Sequence, residues 1–222
     1  MENKEMESKN LRKPNEVILK SGKTLQEVLE LHKMWLDNEE GGERANLSGE
    51  DLSYVNLRSA NMRDANINHG NLYGADLSHA ILEGADLSHA ILEGAILEGV
   101  DLEGVDLNHA NLSYADLSGT NLSYANFYGT NLSYANLTNT NFYLTNLYKA
   151  KGDFVGVENI GSRSDTTHYF YNIDKVICGC FSGTMEEFEE KVKESYSEGD
   201  IEYQEYMMAI EFLKGLSELE MK

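Results

Sequence analysis

Residues 75–94 read ADLSHAILEGADLSHAILEG, one decapeptide written twice in succession. Each copy holds a five-residue pattern twice: a small residue, a variable one, Leu, then two polar or small residues. Extended outward in both directions, this period runs unbroken from Ala45 to Lys149. The central position falls on Leu47, Leu52, Leu57 and every fifth residue to Leu147. Of these 21 positions 17 are Leu, and the others are Met62, Ile67, Phe127 and Phe142. Two residues earlier stands a small residue, Ala at 12 of the 21 positions and otherwise mostly Val or Thr. The residue between the two is mostly Asn or Asp.

A period of five fits neither the 3.6 of a helix nor the 2.0 of a flat strand. It requires a backbone that turns inward every five residues. The large and small apolar side chains then point in and the other three point out. Stacking of such turns buries what no single turn buries alone, as in other solenoids.

The pattern A(D/N)LXX over 45–149 resembles the pentapeptide-repeat family. The resemblance implies a mainly β fold, a right-handed quadrilateral parallel β-helix with four units per coil. The repeat then makes about five coils at the ~4.8 Å strand spacing, a stack roughly 25 Å long. Its interior is filled by Leu and Ala columns and leaves no room for a ligand.

An open β-helix end exposes unpaired backbone and Leu, so caps are expected. VILKSGKTL at 17–25 reads as a short hairpin. Thr24 with Glu27 is a capping box opening a helix whose apolar stripe is Leu25, Val28, Leu29, His32, Trp35 and Leu36. Residues 39–42, EEGG, end it. The spacing therefore divides the chain into a flexible tail at 1–14, an N-terminal α cap at 15–42, the β-helix at 43–150 and a C-terminal segment at 151–222. In that segment 152–168, GDFVGVENIGSRSDTTH, reads as a loop-like junction and 168–181 as a β-hairpin. Thr184 with Glu187 opens a helix over about 185–198, and a second runs over about 201–220.

Composition excludes several classes. Lys plus Arg number 18 and Asp plus Glu 38, a net charge of −20, which argues against direct binding of nucleic acid or an anionic membrane. No apolar run has the length of a membrane-spanning helix, and the charged N-terminus lacks the apolar core of a secretory signal. Two cysteines, Cys178 and Cys180, suit a reducing compartment, and a cytoplasmic location is expected. The DLSH stretches at 76–79 and 86–89 bring Asp, Ser and His close in sequence, but on a convex repeat wall rather than in a dry cleft. Cofactor motifs are absent and the chain reads as no enzyme, with no catalytic, cofactor or metal residues assigned.

The outer positions carry the candidate sites. His69, His89 and His109 should form one column. Between Arg63 and Lys149 lie ten acids and no base, and all ten are expected to point outward. Seven of them, Glu83, Asp86, Glu93, Glu98, Asp101, Glu103 and Asp106, crowd together and form the candidate protein-binding strip. From 117 to 148 the repeat is uncharged and rich in Tyr, with Tyr114 and Tyr134 in one column. Met208, Phe212, Leu216 and Leu219 form a second apolar stripe on the last helix, a candidate homodimer contact. The expected function is a non-catalytic, acidic protein-interaction scaffold with a protein partner that has a basic groove. The alternative is a mimic of nucleic acid that modulates a DNA-binding enzyme such as DNA gyrase, as the resemblance to quinolone-protecting members implies.

Overall fold

The computed structural model describes residues 11–152, 154–160, 165–170, 175–178 and 181–220, with backbone alone for 155–160, 165–166 and 216–220. Chain contacts divide it into two units. One holds the residues up to Asn141 together with Thr145–Gly152, the other Phe142–Leu144 together with Asp153–Lys222.

The first unit is a parallel solenoid. Bridges join each residue to the one twenty positions on, from Asn46↔Asn66 and Asp51↔Asn71 through to Asn126↔Asn146. The coil is therefore four pentads. Leu47 N–H donates to the Asn66 carbonyl at 2.7 Å, and Asn66 N–H returns a bond to Ala45 at 3.0 Å. Each corner is a β-turn in which the residue three past Leu donates back to the Leu carbonyl, as Gly70 does to Ile67 at 3.0 Å. The second variable position of the pentad takes positive φ, +66° at Gly84 but also +57° at His89 and +60° at Tyr124. Glycine adopts this region freely, whereas for His and Tyr it is strained and held by the coils on either side. All 21 central residues are at most 3% exposed. Where Thr replaces Ala inside, its hydroxyl is satisfied: Thr120 Oγ1 donates to the Leu117 carbonyl at 2.6 Å.

The N-terminal cap extends further back than the sequence suggests. Arg12 pairs in parallel with Val55, taking N–H of Asn56 at 2.9 Å and donating to the Tyr54 carbonyl at 2.7 Å. It stands where a preceding coil would stand. Residues 11–14 therefore belong to the cap, and Pro14–Glu16 forms a 3-10 turn. Of the tail expected at 1–14, residues 1–10 lie outside the described residues. Ile18 bridges Thr24, and Thr24 and Glu27 exchange the capping-box bonds of helix α1, Leu25–Leu36. This helix ends before residue 39, at Asp37, with Asn38 at φ +55° turning the chain.

The second unit corrects the sequence reading. The stretch expected to be a loop holds a strand, β1 at Val155–Ile160, and the start of β2 at Asp165–Phe170. With β3 at Lys175–Cys178 and β4 at Phe181–Gly183 they make a four-stranded antiparallel sheet in sequence order, not a lone hairpin. Two helices follow, α2 at Met185–Ser195 and α3 at Ile201–Glu220. Thr184 and Glu187 form the expected capping box. Tyr169, Val176 and Cys178 face Phe188, Val192, Ile210 and Leu213 in one core. Across the sheet from that core, Phe170 meets Phe142 and Phe154 at ring separations of 5.1 and 4.6 Å.

Candidate functional site

The twenty-residue register assigns every outward side chain of the solenoid to one of four faces. The first begins with 45–49, the second with 50–54, the third with 55–59 and the fourth with 60–64, each continuing every twentieth residue. Ten residues along the chain is half a turn. The two copies of the decapeptide at 75–94 therefore present the same letters on opposite sides, His79 opposite His89 and Glu83 opposite Glu93.

The seven candidate acids do not make a strip. Asp86 and Asp106 lie on the first face, Glu93 on the second, Glu98 on the third, and Glu83, Asp101 and Glu103 on the fourth. Nor are they alike in role. An Asp or Asn just before Leu turns its Oδ1 onto the N–H two residues on. Asp101 so accepts from Glu103 at 3.2 Å, and Asp106 from Asn108 at 3.1 Å. The same oxygens take the amide of the next coil: Asn121 Nδ2 reaches Asp101 at 3.2 Å and Asn126 Nδ2 reaches Asp106 at 2.9 Å. Asp86 accepts from Ser88 and from Asn68 Nδ2. Burial would raise its pKa, but these bonds outweigh it and hold the carboxyl below the usual carboxylate range. These three acids are rungs of an Asx ladder. The glutamates, one position past Leu, are the displayed ones, with Glu98 and Glu103 exposed and Glu83 and Glu93 half-buried.

Asp76 overturns the expectation that all ten acids point outward. It is 3% exposed, its Oδ2 meets Arg58 Nη1 at 3.3 Å, and its Oδ1 takes both Ser78 N–H and hydroxyl. The cluster is also partly neutralised, since Arg63 Nη2 pairs with Glu83 at 2.5 Å. In both DLSH stretches the serine hydroxyl donates to the aspartate two residues before it, which is turn chemistry rather than a nucleophile waiting for a base.

The histidine column forms as expected. His69 and His89 stack with centroids 4.7 Å apart, and His89 and His109 at 5.1 Å. His109 then meets Tyr128 edge-on, and Lys149 Nζ lies 5.3 Å over that ring. Among the described residues no three His, Cys, Asp or Glu side chains come together as a metal site. On the second face Tyr114 and Tyr134 stack at 5.0 Å while remaining 62% and 66% exposed. Tyr54, Tyr73 and Ile91 are exposed on the same face, making it the most apolar of the four.

On α3, Met208 and Phe212 are exposed together with Ile201, one helical stripe. The side chains of Leu216 and Leu219 lie outside the described residues, as does Cys180, while Cys178 is buried and takes a hydrogen bond from Thr167. Sequence reasoning missed one residue. His32, read as part of an apolar stripe, is fully buried and accepts the Ala45 N–H at Nδ1. Its polarity within that stripe was the available signal.

Stacked coils of four pentads with an Asx ladder define a pentapeptide-repeat solenoid. The family model for pentapeptide repeats matches in eight copies over residues 43–78, 71–108 and 110–147. The chain belongs to the pentapeptide-repeat family, whose members fold as right-handed β-helices. Rfr23, a pentapeptide repeat protein of the cyanobacterium Cyanothece, is 31% identical over 55% of this chain and 92% of its own, with a TM-score of 0.43. HetL of Nostoc, involved in heterocyst differentiation regulation, is 29% identical over 49% of this chain and 62% of its own, with a TM-score of 0.22. QnrB1, a plasmid-mediated fluoroquinolone resistance protein, is 22% identical over 50% of this chain and 66% of its own, with a TM-score of 0.23. No curated protein matches the chain. Among the described residues no helix is long and apolar enough to cross a membrane.

Proposed function

We propose that the chain is a non-catalytic, cytoplasmic scaffold that displays a protein-binding surface on the solenoid. One observation carries this reading. The inward side chains are consumed by the core and the Asx positions by the ladder, which leaves the two positions after each Leu to carry the displayed side chains. Those positions hold the exposed tyrosines and glutamates. The family is generally one of non-catalytic scaffolds. Pairing of two copies through the stripe of Met208 and Phe212, continued by Leu216 and Leu219, belongs to the same proposal.

Mimicry of nucleic acid is the weaker reading. A phosphate backbone presents charge in a continuous line, whereas the seven acids here divide among four faces and three of them are held in the ladder. The test compares proteins that co-purify with the full chain, with a Tyr114→Ser/Tyr134→Ser pair, and with a Glu83→Gln/Glu103→Gln pair, each at low and high salt. A display surface loses its partner in the tyrosine pair and keeps it at high salt. A mimic loses it in the glutamate pair and at high salt, and inhibits gyrase supercoiling at low salt only. A partner set unaltered by either pair sinks both readings.

A further inference from the structure

We infer that helix α1 is an acid-released latch on the solenoid, with neutral His32 as its catch. His32 is fully buried between the helix and the first coil. Its Nδ1 accepts the N–H of Ala45, the first residue of the repeat, at 3.2 Å. An imidazole that accepts at Nδ1 carries its one proton on Nε2. That nitrogen closes no hydrogen bond, although the backbone carbonyl of Arg63 faces the ring. Adding a proton at Nδ1 would set two donors against each other and bury a positive charge.

The charged groups around the ring decide the direction. Arg44, from the linker into the first coil, opposes a charged imidazole, and Asp64, from the last pentad of that coil, favours it. Arg44 Nε is itself bonded to the Asp64 backbone carbonyl at 2.5 Å. Burial is the largest effect and pushes the pKa below the usual 6.5, with Arg44 adding to it and the Arg63 carbonyl and Asp64 only partly offsetting it. The closed latch therefore excludes the proton that an open one binds. Opening becomes favoured as pH falls below about 6.5, by about tenfold per pH unit until the folded pKa is reached.

Release undoes specific bonds. The Ala45 N–H loses its acceptor, and the cap strand at Arg12, which holds the Tyr54 carbonyl and the Asn56 N–H, is the next tie. The opened state bares the edge of the first coil, while the coils behind it keep their ladders.

The chain carries its own reporter. Trp35, its one tryptophan, stacks on His32 at 5.5 Å with planes 12° apart. The experiment follows Trp35 fluorescence of the full chain from pH 8 to 5, with amide hydrogen exchange at both ends of that range. A fluorescence step is expected, with faster exchange at Ala45 and Asn56 and unchanged protection at Leu107. His32→Leu should abolish the step, and the exposed-column variant His89→Gln should keep it. Should His32→Leu fail to fold, Arg44→Gln gives the independent reading: without the neighbouring cation the closed state tolerates the proton better, so the midpoint must move downward. A flat titration, a step that survives in His32→Leu, a midpoint unmoved in Arg44→Gln, or simultaneous loss of protection at Leu107 would each overturn the latch.

Discussion

The His109 imidazole lies over Gly129, twenty residues on, so closely that a Cβ there would stand 2.7 Å from Nδ1. Glycine at 129 thus serves two ends, a φ of +66° and a floor for the ring above it. Gly94 has nearly the same φ, +65°, with nothing within 4 Å of an added Cβ. Gly94→Ala should lower stability by the ordinary left-handed cost of about 1–2 kcal/mol. Gly129→Ala should cost about 1 kcal/mol more, and His109→Ala in that background should recover the excess. Urea unfolding of the parent and the three variants measures it, and equal costs at 94 and 129 would refute the steric account.

The Asx ladder has gaps at Ile81, Ile91 and Ile96. At Ile91 the chain compensates, since Asn111 Nδ2, lacking a rung beneath it, turns to Glu93 at 3.2 Å. Ile91 is 44% exposed and contributes little burial. Ile91→Asn should therefore raise the thermal midpoint, by restoring bonds worth about 0.5–1.5 kcal/mol each. Asn111→Leu should lower it. A destabilised Ile91→Asn would mean that the isoleucine packs more than its exposure suggests.

Acids of the same sequence region should separate by position. Asp76→Ala leaves the buried Ser78 turn without its acceptor and removes the partner of the half-exposed Arg58, at a cost of about 1–3 kcal/mol. Glu103→Gln, on the surface, should stay within about 0.5 kcal/mol of the parent. Denaturant midpoints of both variants check the contrast.

Glu189 ties α2 to α3, taking Lys193 and Lys214 on its two oxygens at 2.5 Å each. Those two hydrogen bonds, with the charges behind them, draw its pKa from 4.5 to about 2. Its folded pKa lies below the unfolded one, so the stabilisation is present above about pH 4.5 and is lost as pH falls toward about 2. Hydrogen exchange in α2 and α3 should accelerate across that window, and Glu189→Gln should flatten the dependence. Identical profiles in the two proteins would show that the pair is screened by solvent.

Self-association is checked by sedimentation equilibrium. If α3 pairs two copies, Met208→Lys/Phe212→Lys yields monomers while the helical signal is retained. A monomeric parent removes the dimer from the proposal.

The period at 45–149 made the solenoid legible because every pentad repeats the same demand for a Leu inside and a turn after it. The elements flanking the repeat were half legible. A capping box is a local signal, so Thr24–Glu27 and Thr184–Glu187 could be read, whereas Arg12 joins the sheet through backbone bonds that any residue could make. The strand at Val155–Ile160 was missed because Gly, Asn and Glu break the alternation expected of a sheet strand, and its antiparallel partner supplies what propensity does not. Asp76 and Glu83 look alike in composition. Only their offset from Leu, one before against one after, separates a ladder rung from a displayed charge.

The half-turn relation between neighbouring decapeptides bears on how such a chain changes length. Copying a ten-residue block swings all that follows through 180° and still sets histidine-bearing sides over histidine-bearing sides. Copying five residues gives a quarter turn and lays the tyrosine columns across them. Slippage in steps of ten is therefore the mildest route of growth, and the length of the solenoid is an inheritable variable that changes most easily by half turns.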